Sequence, residues 1–130
     1  MGHQFSDNPL SRLVYSGDLV ADLLAVVDAY ATVNAEHGAV MPILLAEVPR
    51  HPDLAAALDT PWTNIQKIVH IMERYQAEGV LKPEPPLHSV AALIGPIMVS
   101  QMIRRAAPDM PVPDFQRQAY IDTFLSGRRA

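Results

Sequence analysis

The stretch HSVAALIGPIMVSQMIRR, residues 88–105, decides how this chain folds. At helical spacing Val90, Leu93, Ile94 and Ile97 point one way and Ala91, Val99, Met102 and Ile103 another, so almost no wet face is left. A helix that is apolar on both sides must be buried on both sides. Pro96 in its middle removes one backbone hydrogen bond and frees a carbonyl near the turn at residue 92. The resulting kink either opens a cavity or, with Gly95, accommodates packing.

Working upstream, Val80-Leu81-Lys82-Pro83-Glu84-Pro85-Pro86 cannot be helical, because its prolines remove donors and push their predecessors to extended geometry. Before it, Thr60-Pro61 reads as an N-cap with proline in the first helical position, opening a helix that ends at Gly79. Ile65, Ile68, Val69, Met72 and Tyr75 form its inner face, and Gln66, Lys67, His70, Glu73 and Arg74 its outer one. A short turn covers residues 53–58. Val40, Met41, Leu44, Leu45 and Val48 give the apolar face of a preceding helix closed by Pro49 and Pro52. Earlier still, Asp18, Asp22, Asp28, Thr32 and Glu36 fall on one narrow stripe, with Leu19, Val20, Leu23, Leu24, Val27 and Tyr30 opposite, and Gly38 ends that helix. Downstream, Pro108, Pro111 and Pro113 mark a loop, and Asp114 caps a last helix lined by Tyr120, Ile121, Phe124 and Leu125. Nothing alternates with period two. The fold class is therefore all-α, an antiparallel bundle of about six helices.

Length and composition bound the rest. With 130 residues, 49% apolar and 18% charged, the chain is one folded domain over residues 10–130, with an apolar excess that hints at a second buried surface. Residues 1–9 are polar and turn-rich and read as a leader or tag remnant. Met1-Gly2 fits the loose myristoylation pattern, but no polybasic cluster follows. The absence of cysteine excludes disulfides, thiolate zinc sites and cysteine nucleophiles and makes the cytoplasm the default compartment. Net charge is -4 and the ten Lys and Arg residues form no basic stripe, so the chain itself is not expected to bind nucleic acid. Asp22, Asp28 and Glu36 interrupt the longest apolar run, so no membrane span is expected.

Chemistry is sparse. A bundle metal site needs Glu-x-x-His pairs or two histidines at helical spacing, and neither occurs. His70 and Glu73 read as a solvated pair on an outer face, and His51 as serving the turn before Pro52-Asp53. There is no nucleophile elbow or glycine-rich anion loop, so neither an enzyme nor a cofactor is expected. The informative residues are polar ones on apolar faces. Asn34 sits one turn beyond Tyr30, where burial costs about 1–3 kcal/mol without a partner. That partner is either a ligand or, in the last turn before Gly38, backbone or water. Met41, Met72, Met98 and Met102, with Trp62 and Tyr75, supply the soft and aromatic surface that lines adaptable pockets, or plain packing.

The order of features is Leu44-Leu45-Ala46-Glu47, then Arg50-His51-Pro52-Asp53-Leu54, then a long helix ending Tyr75-Gln76-Ala77-Glu78-Gly79-Val80-Leu81-Lys82-Pro83. With the apolar helix from His88 and the closing Ile121-Asp122-Thr123-Phe124-Leu125-Ser126-Gly127, it resembles the C-terminal domain of TetR-type transcriptional regulators over about residues 10–127. The resemblance implies a ligand-sensing domain that dimerises through its last two long helices as a four-helix bundle. It also implies a small effector that enters among the earlier helices and shifts two DNA-reading heads. No helix-turn-helix precedes residue 10, so DNA is expected to be reached only through a domain not present in this chain. On this reading a mostly apolar ligand is lined by Tyr30, Asn34, Met41, Leu45, Trp62, Ile65, Val69, Met72 and Met98. A homodimer is held by Leu93, Ile97, Ser100, Arg104, Tyr120, Ile121 and Phe124. Two alternatives are a constitutive protein-interaction module without a pocket and a small helical enzyme.

Overall fold

The computed structural model describes residues 9–38 and 40–130. Among them are five α-helices: α1 (Leu19–His37), α2 (Val40–Glu47), α3 (Asp59–Ala77), α4 (Pro86–Ala106) and α5 (Arg117–Ser126), with 3-10 turns at Pro9–Arg12 and Pro52–Leu58. The expected leader lies outside the described residues except for Pro9. The segment from Leu10 holds one 3-10 turn and then an extended strap, so it is not a helix of its own.

Local chemistry explains most boundaries. Asp18 starts α1 by accepting the Ala21 amide at 3.1 Å, which satisfies one of the donors a helix start leaves open. Gly38 ends it with its amide on the Asn34 carbonyl. A Cβ at Gly38 would lie 2.3 Å from that oxygen and from Asn34 Oδ1, so only glycine fits there. Thr60 does not cap α3: Leu58 and Asp59 are already helical, so α3 runs on from the 3-10 turn. Its far end is Gly79, at φ 77°, after which the amides of Val80 and Leu81 both donate to the Tyr75 carbonyl. Asp114 does not cap α5 either. Its carboxylate is held by Arg104 at 2.8 Å, and the helix starts only at Arg117, so the last helix has ten residues and is not the long one expected.

One hydrophobic cluster runs from Leu10 to Leu125. α4 packs against α3 and α1, and α5 packs against α1. Leu23 and Val26 of α1, Ile68 and Met72 of α3, Val90 and Leu93 of α4 and Ile121 of α5 meet at the centre, almost without solvent contact. Burying each such side chain stabilises the fold by about 1.5–3 kcal/mol before entropy is counted. The proline-rich connector after α3 is tied down by Leu81, which is buried and bridges antiparallel to Arg129. That isolated bridge is the only strand-like pairing among the described residues.

The two directions read from residues 88–105 are real. Val90, Leu93, Ile94 and Ile97 are buried, and Ala91, Val99, Met102 and Ile103 are exposed. α4, 21 residues long with an 18-residue window of mean hydropathy 1.4, is also long and apolar enough to cross a membrane by length and composition alone, which the expectation of no membrane span did not foresee. Its inner side belongs to the bundle core.

Candidate functional site

The residues expected to line a ligand pocket divide into three groups. Tyr30, Asn34 and Met72 are buried; Met41, Ile65, Val69 and Met98 are half-buried; Leu45 and Trp62 stand out in solvent, 57% and 50% exposed. Leu45 belongs to α2, an almost wholly apolar helix of eight residues, none of which is buried, and Trp62 to the first turn of α3. α2 is held chiefly by the turn Pro52–Leu58. Ile65, Val69 and Met98 pack onto the core from the same general set of helices, α3 and α4.

Asn34 has partners within the protein. Its amide nitrogen donates to Gln101 of α4, the Tyr30 hydroxyl donates to its Oδ1 at 3.4 Å, and the Arg105 guanidinium donates to its backbone carbonyl. The desolvation cost that made a ligand attractive is thus met by the side chains of Tyr30 in α1 and Gln101 in α4. Gln101 and Arg105 were not singled out in the sequence; their spacing of four residues, pointing a polar pair from an apolar helix, was the available signal. Burial raises the Tyr30 hydroxyl pKa, with Arg105 opposing. The Tyr120 hydroxyl is pushed up to about 12 by burial and by Tyr30, and it donates to the Leu93 carbonyl. These tyrosines act as hydrogen-bond donors, not as bases.

α4 continues unbroken through Pro96, which has no amide to offer the Ala92 carbonyl. Both residues border an open groove between α4 and α5, with Phe115, Tyr120, Phe124 and Arg128 on the other side. Phe115 meets the Tyr120 ring edge-on at 4.9 Å, and the Arg128 guanidinium lies 4.7 Å over Phe124. A second groove lies between residues 13–15 and the outer face of α3. Of the nine residues expected to line the pocket, none borders either groove.

The expected interface residues divide as well. Leu93, Ile97, Ile121 and Phe124 are core residues of the single chain, because α4 turns the first two towards α1 and α3 while α5 packs against α1. Ser100 and Tyr120 are half-buried. Arg104 is exposed and bonds the carbonyls of Val112 and Pro113 as well as Asp114. The apolar surface that α4 leaves uncovered is instead Val99, Met102 and Ile103, with Val99 49% exposed.

Among the histidines, His70 pairs with Glu73 at 3.3 Å on the outer face of α3, as the sequence suggested. His51 lies 3.8 Å from Glu47 and makes no cap bond. Asp22 departs furthest from its expected place. Read as part of a wet stripe, it is 5% exposed, bound by Ser16 and Tyr75. Burial alone would raise its carboxyl, but the hydrogen bonds of Ser16, Tyr75 and Gly17 outweigh that and hold it below the usual carboxylate range.

Comparison with known proteins agrees with this arrangement of helices. The family described as tetracyclin repressor-like, C-terminal domain, matches residues 15–123. No curated protein and no solved structure gives a match. The match begins in the strap before α1 and ends inside α5, thereby including the apolar α4 and the exposed α2, and the chain belongs to the tetracyclin repressor-like C-terminal domain family.

Proposed function

We propose that this chain is the effector-binding and dimerisation domain of a TetR-like transcriptional repressor of the cytoplasm, acting on DNA only through a separate DNA-reading domain and catalysing nothing. The observation that carries the reading is the split of α4: one side is fully used by the core, while Val99, Met102 and Ile103 remain uncovered on the other. A second copy apposed on that side removes the apolar surface from water, and a two-fold pairing needs no other partner. Sedimentation of the chain at micromolar concentration should show a dimer; a monomer overturns this part of the reading.

The effector is a small, mostly apolar molecule bound by Met41 and Leu45 of α2, by Trp62, Ile65 and Val69 of α3 and by Met98 of α4. Support comes from α2, whose apolar residues lack a buried face although apolar helices of globular domains ordinarily have one. Titration with 1-anilinonaphthalene-8-sulfonate, followed by Trp62 fluorescence, should give a saturable change that Val69→Glu abolishes. One observation favours a second reading. Val40, Ile43, Leu45 and Trp62 face outward, which suits constitutive docking of another protein and no pocket. In that case the titration shows no saturation.

A further inference from the structure

We infer that residues 13–18 form a strap latched onto α3 through Asp22, so that α3 and residues 9–18 move as one body. These residues belong to no helix, and backbone-to-backbone bonds are described only at their two ends, a long one of 3.4 Å from Leu13 to Leu10 and one of 2.9 Å in which Asp18 accepts the Asp22 amide at the start of α1. Side chains hold the rest. Asp22, in the first turn of α1, accepts the Ser16 amide at 3.0 Å and the Ser16 hydroxyl at 2.5 Å, and it accepts the Tyr75 hydroxyl of α3. Gly17, at φ 94°, makes the bend that presents this backbone to the carboxylate, a geometry a side chain would strain.

α3 grips the strap and the turn before it at successive points along its length. The Lys67 ammonium donates to the Ser11 carbonyl at 3.0 Å. The Arg74 guanidinium lies 4.2 Å over the Tyr15 ring, which in turn rests 4.9 Å from the Tyr75 ring. The Tyr15 hydroxyl donates to both oxygens of Glu78 at 2.7 Å. Beneath them Leu10 is buried in the core cluster.

The chemistry makes the latch cooperative. A buried carboxylate is tolerable only while its donors are present, so withdrawing either the strap or Tyr75 leaves a charge without compensation. The strap therefore opens as a unit or not at all, and a shift of α3 is carried to Pro9. That such a shift is driven by an effector rests on the function proposed above; the latch itself consists only of contacts within the chain, so the two ideas fail separately.

Hydrogen exchange of the whole chain tests it, with Tyr75→Phe removing one hydroxyl and keeping the ring. The Ser16 and Gly17 amides should exchange at least about tenfold faster, and trypsin should cut after Arg12 correspondingly sooner, while amides of α4 and α5 keep their rates. Unchanged exchange in the strap overturns the latch. So does an equal rise across α4 and α5, which would make Tyr75 a packing residue only. Should Tyr75→Phe fail to fold, Tyr15→Phe removes only the bond to Glu78 at the surface; a smaller rise confined to the strap supports the latch, and no rise overturns it.

Discussion

On its inner side α4 buries Val90, Leu93, Ile94 and Ile97 against α1 and α3, whereas on its outer side Val99, Met102 and Ile103 meet solvent, although the residue types are the same. Composition makes both sides equally eager for burial. What separates them is the supply of partners: the single chain has enough apolar surface to cover one side of α4 and leaves the other. The two sides should therefore answer differently to substitution. Leu93→Ala, on the inner side with no solvent contact, should cost about 2–5 kcal/mol of unfolding free energy, read from urea denaturation. A loss under about 1 kcal/mol would mean that the inner side is less tightly packed than its burial implies.

The Asp22 cluster is the polar counterpart of that inner side, and it sharpens the comparison through pH. Asp22 titrates below the ordinary carboxylate value of about 3.9 in the folded chain and near that value when unfolded. On acidification the unfolded state takes up the proton first. The stabilisation is thus complete above the unfolded value and is lost as pH falls through the lower folded one. Asp22→Asn should cost about 1–3 kcal/mol near neutrality, because donors of Ser16 and Tyr75 lose a charged acceptor, and it should flatten the stability profile below pH 4. Glu84, held low by the Ser89 hydroxyl and then by Arg128, adds slope of the same sign, so some slope should remain. Denaturation midpoints measured across the acid range in both chains provide the check.

The same contrast shows what was legible in the sequence. Periodicity sorted α4 correctly into two sets, because spacing on a helix is fixed by 3.6 residues per turn. It does not say which set meets the core and which is left in solvent, since both are apolar, and so it places Leu93 and Ile97 at an interface although the single chain buries them. Asp22 was misplaced for the opposite reason. It shares a stripe with Asp18 and Asp28, and only the fold of the strap, with Ser16 upstream and Tyr75 far downstream, turns that position inward. Asn34 was rightly seen as a polar residue on an apolar face, yet its partners Gln101 and Arg105 lie about seventy residues away, beyond any local pattern. Caps failed where a competing contact won, as at Asp114, whose carboxylate went to Arg104.

A smaller effect is expected at the surface pair that joins α5 to α1. Arg117 grips Asp28 through two nitrogens, at 2.7 and 2.6 Å, with both side chains about half exposed. Water and salt screen such a pair, so Arg117→Ala should cost about 0.2–1 kcal/mol, shrinking as ionic strength rises. A larger, salt-independent loss in the same urea experiment would mean that the aliphatic stem of Arg117, rather than its charge, holds α5 down.

The smallest effect on folding belongs to the outer side of α4, and it is the one that decides what that side is for. Met102→Glu places a charge on a side chain that the single chain leaves 39% exposed, so its unfolding free energy at high dilution should move by no more than about 0.5 kcal/mol. Between two copies the same carboxylates would be buried without partners, and association should weaken by a hundredfold or more, about 2.8 kcal/mol at 1.4 kcal/mol per factor of ten. Sedimentation of both chains over a concentration series separates the two quantities. If Met102→Glu leaves association untouched while lowering folding stability as Leu93→Ala does, then the outer side is a hidden part of the core, and the contrast between the two sides of α4 disappears.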